Sequence, residues 1–162
     1  MKNYKEKLKN IRAFILDFDG VLSNGMVYVT ADGEQVRATN VKDGYALHYA
    51  LKKGYKVAVI SGGYAESMKL RFREFHGMEF FLHVSDKIKV FNEYLANNHL
   101  RPEEVLVMGD DIPDYPMMKP TNAPPNPPTA RPITLKMRVY IMITRYVRRC
   151  RTRCLGAAWS AQ

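Results

Sequence analysis

Cysteine is missing from the first 149 residues of this 162-residue chain; only Cys150 and Cys154 occur. Two cysteines four apart, with no second pair, exclude a disulfide framework and make only a weak metal pattern. A body without cysteine fits a reducing cytoplasm. No apolar run approaches the roughly 18 residues of a membrane span. The charged start Met1-Lys2-Asn3-Tyr4-Lys5-Glu6-Lys7 is followed by no apolar stretch, so neither a signal peptide nor a membrane span is expected. Acidic residues are missing from 120–162, which hold eight of the 25 Lys and Arg and none of the 16 Asp and Glu. The net charge of +9 therefore belongs to the tail, and residues 1–119 are nearly neutral. Overall charge is then a poor argument for nucleic-acid binding. Proline is sparse in the body, but six of the nine lie between Pro120 and Pro132, which argues against a regular helix there.

What is present reads as one domain with a real core, at 46% hydrophobic residues. Residues 12–17 read as a buried strand. Residues 25–29 and 35–39, joined through Ala31-Asp32-Gly33, read as a β-hairpin, since Asp-Gly between strand-like runs is a hairpin signal. Asp43 is placed to cap a helix through about Lys53, ended by Gly54. Lys56–Ile60 reads as a second buried strand, Tyr64–Phe75 as helix, Glu79–Leu82 as a third strand. Residues 86–98 read as helix and Val105–Met108 as a fourth strand. Strands alternating with helices predict an α/β fold: a Rossmann-like three-layer sandwich with a mostly parallel central sheet.

Three strand ends carry polar groups of particular kinds. The first ends in Asp17-Phe18-Asp19-Gly20, the second in Ser61-Gly62-Gly63, and the fourth in Gly109-Asp110-Asp111 with Asp114 beyond; Lys87 opens the helix after the third. Alternation along an extended chain points Asp17 and Asp19 to one side. Loops at the carboxyl ends of parallel strands are where open α/β sheets bind ligands. Each motif alone has a plainer account: Asp-Gly is a common turn pair, and Ser61 precedes two glycines. Together they suit phosphoryl transfer. Oxygen ligands hold Mg²⁺, a lysine and a hydroxyl hold phosphate oxygens, one carboxylate attacks phosphorus and another moves the proton.

Asp17-Phe18-Asp19-Gly20-Val21-Leu22, Ser61, Lys87 and Gly109-Asp110-Asp111 resemble the four motifs of the haloacid dehalogenase superfamily of phosphatases. Val41-Lys42-Asp43-Gly44 and Met108-Gly109-Asp110-Asp111-Ile112-Pro113-Asp114-Tyr115 are similar to its small capless branch. That branch holds the 3-deoxy-D-manno-octulosonate 8-phosphate phosphatases and relatives acting on nine-carbon keto-sugar acid phosphates. The resemblance covers about residues 8–119. It implies Asp17 as nucleophile and metal ligand, and Asp19 as general acid/base with its backbone carbonyl on Mg²⁺. It implies Asp110 as the third protein ligand, with Ser61, Gly62 and Lys87 holding phosphate. Asp111 and Asp114 would support the metal from behind or through water. It also implies a sugar acid phosphate as substrate, a role in lipopolysaccharide biosynthesis, and a homotetramer built through the hairpin.

Several residues keep a second account. Asp114 serves equally as a helix-start carboxylate, and Lys42 and Asp43 as a hairpin-exit charge and a cap rather than substrate contacts. Lys89 is a neighbour to be told from Lys87. Gly63 stands where many relatives have an arginine, with Arg71 or Arg73 as candidates to compensate. His48, His76, His83 and His99 do not cluster, so no histidine metal site is expected. A different small phosphatase, or a non-catalytic oligomerisation domain on the same scaffold, are the alternatives.

The resemblance stops at residue 119. Beyond it, alternation from Ile133 to Thr144 reads as a strand, with a basic amphipathic segment as the alternative. The tail is either a divergent basic segment for an anionic partner or the product of a shifted reading frame, the latter favoured by the abrupt change. Nucleic acid is not the expected partner, because no aromatic platform accompanies the charges.

Overall fold

The computed structural model describes residues 10–64 and 66–118. The expectations for residues 120–162, including the shifted frame and the cysteine pair, lie outside the described residues. The strands are β1 (Ala13–Leu16), β2 (Tyr28–Val29), β3 (Gln35–Val36), β4 (Lys56–Ile60), β5 (Met78–Phe81) and β6 (Val105–Met108). The helices are α1 (Val41–Lys52), α2 (Glu66–Phe72), α3 (Lys87–Asn97) and the short α4 (Tyr115–Met118).

Four strands form one parallel sheet in the order β5-β4-β1-β6. Each strand is a short apolar run, as expected where both faces are covered. Alternation splits the side chains between two cores. Phe14, Leu16, Val57 and Val59 face Ala46, Leu47 and Ala50 of α1 and Met68 and Phe72 of α2. Ala13, Ile15, Ala58 and Ile60 face Phe91, Tyr94 and Leu95 of α3 and Met117 of α4. The expected three layers are therefore present.

This order fixes the place of the site. From β1 the chain moves outward through β4 to β5, then returns to put β6 on the other side of β1. The reversal leaves a crevice at the carboxyl end of β1, where open α/β sheets bind ligands. Asp17 is the first residue past β1, and its N–H donates to the Met108 carbonyl at 2.9 Å.

Four local expectations are corrected. The hairpin is shorter, pairing only Tyr28 with Val36 and Val29 with Gln35. Both of its strands are exposed, and a ribbon without a covering layer sustains few pairs. A lone bridge between Ser23 and Thr39 closes its stem. The cap of α1 is Asn40, not Asp43: the Asn40 side chain accepts from the Lys42 N–H at 2.9 Å on extended backbone. Helix α2 stops at Phe72, because the Phe75 N–H bonds back to the Phe72 carbonyl in a tightened turn. β5 runs one residue earlier than expected, over Met78–Phe81. Among the described residues, no helix is long and apolar enough to cross a membrane.

Candidate active site

The crevice holds buried charge. Asp17, Ser61, Lys87 and Asp114 are all buried. Lys87 opens α3, whose cap is Asp86, accepting from the Lys89 N–H at 3.2 Å. That geometry turns Lys87 inward and leaves Lys89 exposed. The Lys87 ammonium donates to Asp17 Oδ1 at 2.9 Å and to Asp114 Oδ1 at 2.7 Å. Two of its three donors are thus used, and one remains for a ligand.

Asp114 organises the loop after β6. It is fully buried, and its Oδ2 accepts from the N–H groups of Asp110 and Asp111 at 3.1 and 3.2 Å. The helix-start account of this residue is therefore correct but incomplete, since the same carboxylate also holds Lys87. Asp111 is exposed and accepts from the Ile112 N–H at 2.7 Å. Asp110 is exposed and faces Gly20, where an added Cβ would lie 1.7 Å from Asp110 Oδ2. Gly20 also has φ of +86°, so both space and backbone call for glycine.

The electrostatics favour a cation beside these carboxylates. Asp17, Asp110 and Asp114 offer ligand oxygens within 4.8 Å of one another. Burial, then the charge of Asp114, pushes Asp17 up to about 6, against the pull of Lys87. Burial, then Asp114 and Asp111, also raises Asp110. Burial alone would lower Lys87, but its bonds to Asp114 and Asp17 outweigh that and raise it. Three carboxylates against one ammonium, with oxygen donors only, fit a hard divalent cation. Asp17 and the exposed Asp110 are placed to hold it, while both oxygens of Asp114 are already engaged.

Ser61 is buried at the end of β4, and its hydroxyl accepts from the Gly63 N–H at 3.2 Å. Gly62 is exposed in the same turn. Lys42 is exposed and Asp43 buried in the first turn of α1.

Asp19 lies past the end of β1, in a turn. There Asp19 meets Arg37, whose Nε donates to its oxygens at 2.8 and 3.1 Å. Sequence reasoning missed Arg37. The candidates it offered go elsewhere: Arg71 donates to the Thr39 hydroxyl, and exposed Arg73 pairs with Glu74. A single arginine in a short exposed ribbon carries no local signal of an inward direction.

No protein-family model matches the chain. Over 113 residues it is 38% identical to the 3-deoxy-D-manno-octulosonate 8-phosphate phosphatase of Salmonella typhi, covering 70% of this chain and 60% of that relative. The chain thus spans about 60% of the length of the curated relatives it matches. A crystal structure of the Yersinia pestis phosphatase of the same name aligns with a TM-score of 0.67 and 35% identity, over 70% of this chain and 61% of that one. The Moraxella catarrhalis phosphatase, solved in complex with a magnesium ion, a phosphate ion and KDO, aligns at 0.64 with 27% identity, over 67% and 63% of the two chains. By sheet order, by the sequence of motifs around the crevice and by this similarity, the chain belongs to the capless branch of the haloacid dehalogenase superfamily.

Proposed function

We propose that the chain is a Mg²⁺-dependent phosphomonoesterase for a 3-deoxy-2-keto sugar acid phosphate, the octulosonate 8-phosphate first among them. The observation that carries this is Lys87, buried between Asp17 and Asp114 beside Asp110 at the end of β1. Such an arrangement concentrates more negative than positive charge in a crevice. That suits a divalent cation with a phosphate.

In this reading Asp17, Asp110 and the Asp19 backbone carbonyl would hold Mg²⁺, with Asp111 and Asp114 supporting them. The ion would neutralise charge on the phosphoryl oxygens. Ser61, the Gly62 backbone and the remaining Lys87 N–H bind those oxygens. The Asp17 carboxylate attacks phosphorus, an Asp17 O–P bond forms, and the ester P–O bond breaks. Asp19 gives its proton to the departing sugar oxygen. It then takes a proton from the water that cleaves the aspartyl-phosphate, releasing phosphate and restoring Asp17. Proton transfer of this kind is worth about 10²–10⁴-fold in rate.

The homotetramer belongs to the same proposal. The hairpin exposes Met26, Val27, Tyr28 and Val29, each more than 40% accessible. A contiguous apolar strip of this kind favours association, and further copies of the chain are the proposed cover.

A phosphate-release assay over eight- and nine-carbon sugar acid phosphates, with Mg²⁺ and with chelator, tests the reading. Metal-dependent release with the highest kcat/KM on the octulosonate ester is expected. No release from folded protein on any of them rejects it, and preference for a nine-carbon ester moves the substrate.

A further inference from the structure

The hairpin delivers a side chain for which phosphate binding and nucleophilic attack have no use. Arg37 follows β3 directly, and its side chain is only 4% exposed. Its Nε donates to both oxygens of Asp19, and Nη2 reaches Gln35 Oε1 at 3.3 Å. Its Nη1 is buried with no hydrogen-bond partner among the described residues.

The setting of Asp19 explains what the contact does. Asp19 lies in a turn past the end of the sheet, where no strand neighbour fixes its side chain. Besides Arg37, its other hydrogen bond is from Ser23 Oγ to Oδ1 at 3.2 Å. A guanidinium is a rigid planar donor, and an Nε shared between both oxygens sets the plane of the carboxylate. Gly63 leaves room for the pair. A Cβ there would lie 3.1 Å from Asp19 Oδ2 and 3.2 Å from Arg37 Nη2. The stem bridge between Ser23 and Thr39 anchors the strand that carries Arg37.

We propose that Arg37 is a positioning residue that orients Asp19 for proton transfer to the leaving oxygen, which makes the hairpin part of the acid-catalysis machinery. This rests on the phosphatase reading above. Two esters with different leaving groups separate the role from a structural one. An alkyl phosphate needs a proton on its oxygen as the P–O bond breaks. The p-nitrophenolate ion departs from its ester without one. The ratio of kcat/KM for the two esters therefore reports how well Asp19 is placed.

Arg37→Gln is expected to lower the alkyl-to-aryl ratio of kcat/KM by about 10²-fold, the usual penalty for a misplaced catalytic group. Arg37→Lys keeps a cation against Asp19 but loses the planar donor, and its ratio is expected to fall between those of the parent and the glutamine variant. Circular dichroism and melting establish that both variants fold. Equal losses on both esters, no loss on either, or a lysine variant indistinguishable from the parent overturn the assignment. A parent chain that hydrolyses neither ester with Mg²⁺ overturns the phosphatase reading, and this inference with it.

Discussion

The crevice and the hairpin invert the usual arrangement of a folded chain in opposite ways. The crevice buries charge: Asp17, Lys87 and Asp114 are each under 10% exposed. The hairpin exposes apolar surface: Val29 is 69% accessible and Tyr28 54%. Taken as an isolated chain, both are unfavourable. Buried ions lose hydration that their mutual attraction only partly offsets, and exposed apolar side chains forgo about 25 cal/mol per Å² of burial. The proposed function adds a cation and a phosphate to the crevice and further copies of the chain to the hairpin. Arg37 connects them, since it leaves the hairpin and ends on Asp19.

The largest expected effect breaks the crevice. Lys87→Met leaves Asp17 and Asp114 buried without their shared partner. A loss of about 3–5 kcal/mol in unfolding free energy is expected from denaturant titration. Phosphate release should fall by at least about 10³-fold, since a phosphate donor is removed as well. A variant with parental stability would show that the pair is incidental.

A smaller effect sharpens the account of the crevice through pH. The folded value of Asp17, about 6, lies above its ordinary 3.8. Between these values the metal-free folded chain binds more protons than the unfolded one. Its stability from this group therefore falls as pH rises through that window, and levels off above it. Mg²⁺ competes with the same proton, so its affinity should weaken as pH drops below about 6. The Tm gain on adding Mg²⁺ should widen between pH 5 and 7. A gain independent of pH would remove Asp17 from the metal site.

The smallest effect on folding comes from the hairpin. Val29→Glu places charge on a residue already 69% exposed. Chain stability in the dissociated state should change by no more than about 0.5 kcal/mol. Light scattering should nevertheless show loss of the proposed tetramer. An unchanged mass would separate the apolar strip from assembly.

The sequence and the structure agree best where the signal is local and repeated. The four strands are apolar runs with clear boundaries, and their alternation gives the two cores. Asp17, Ser61, Lys87 and Asp110 were legible as candidates because each sits at a strand or helix end, and the carboxyl ends of parallel strands share one rim. Asp114 was only half legible. Its spacing announces a capping carboxylate, but its bond to Lys87 spans 27 residues and depends on the packing of α3 against the loop after β6. Arg37 was not legible, because 18 residues separate it from Asp19 and the hairpin pattern assigns it to solvent. The shortened hairpin has the same origin: alternation predicts strand, but nothing covers the ribbon to sustain it.

The central claim is that Asp17 is a nucleophile at a metal-dependent phosphate site. The most direct measurement compares the parent chain with Asp17→Asn for release of phosphate from 3-deoxy-D-manno-octulosonate 8-phosphate, each with Mg²⁺ and with chelator. The account expects Mg²⁺-dependent turnover by the parent and a loss of at least about 10⁴-fold in the folded variant. Full activity in Asp17→Asn, or turnover by the parent indifferent to Mg²⁺, would contradict it.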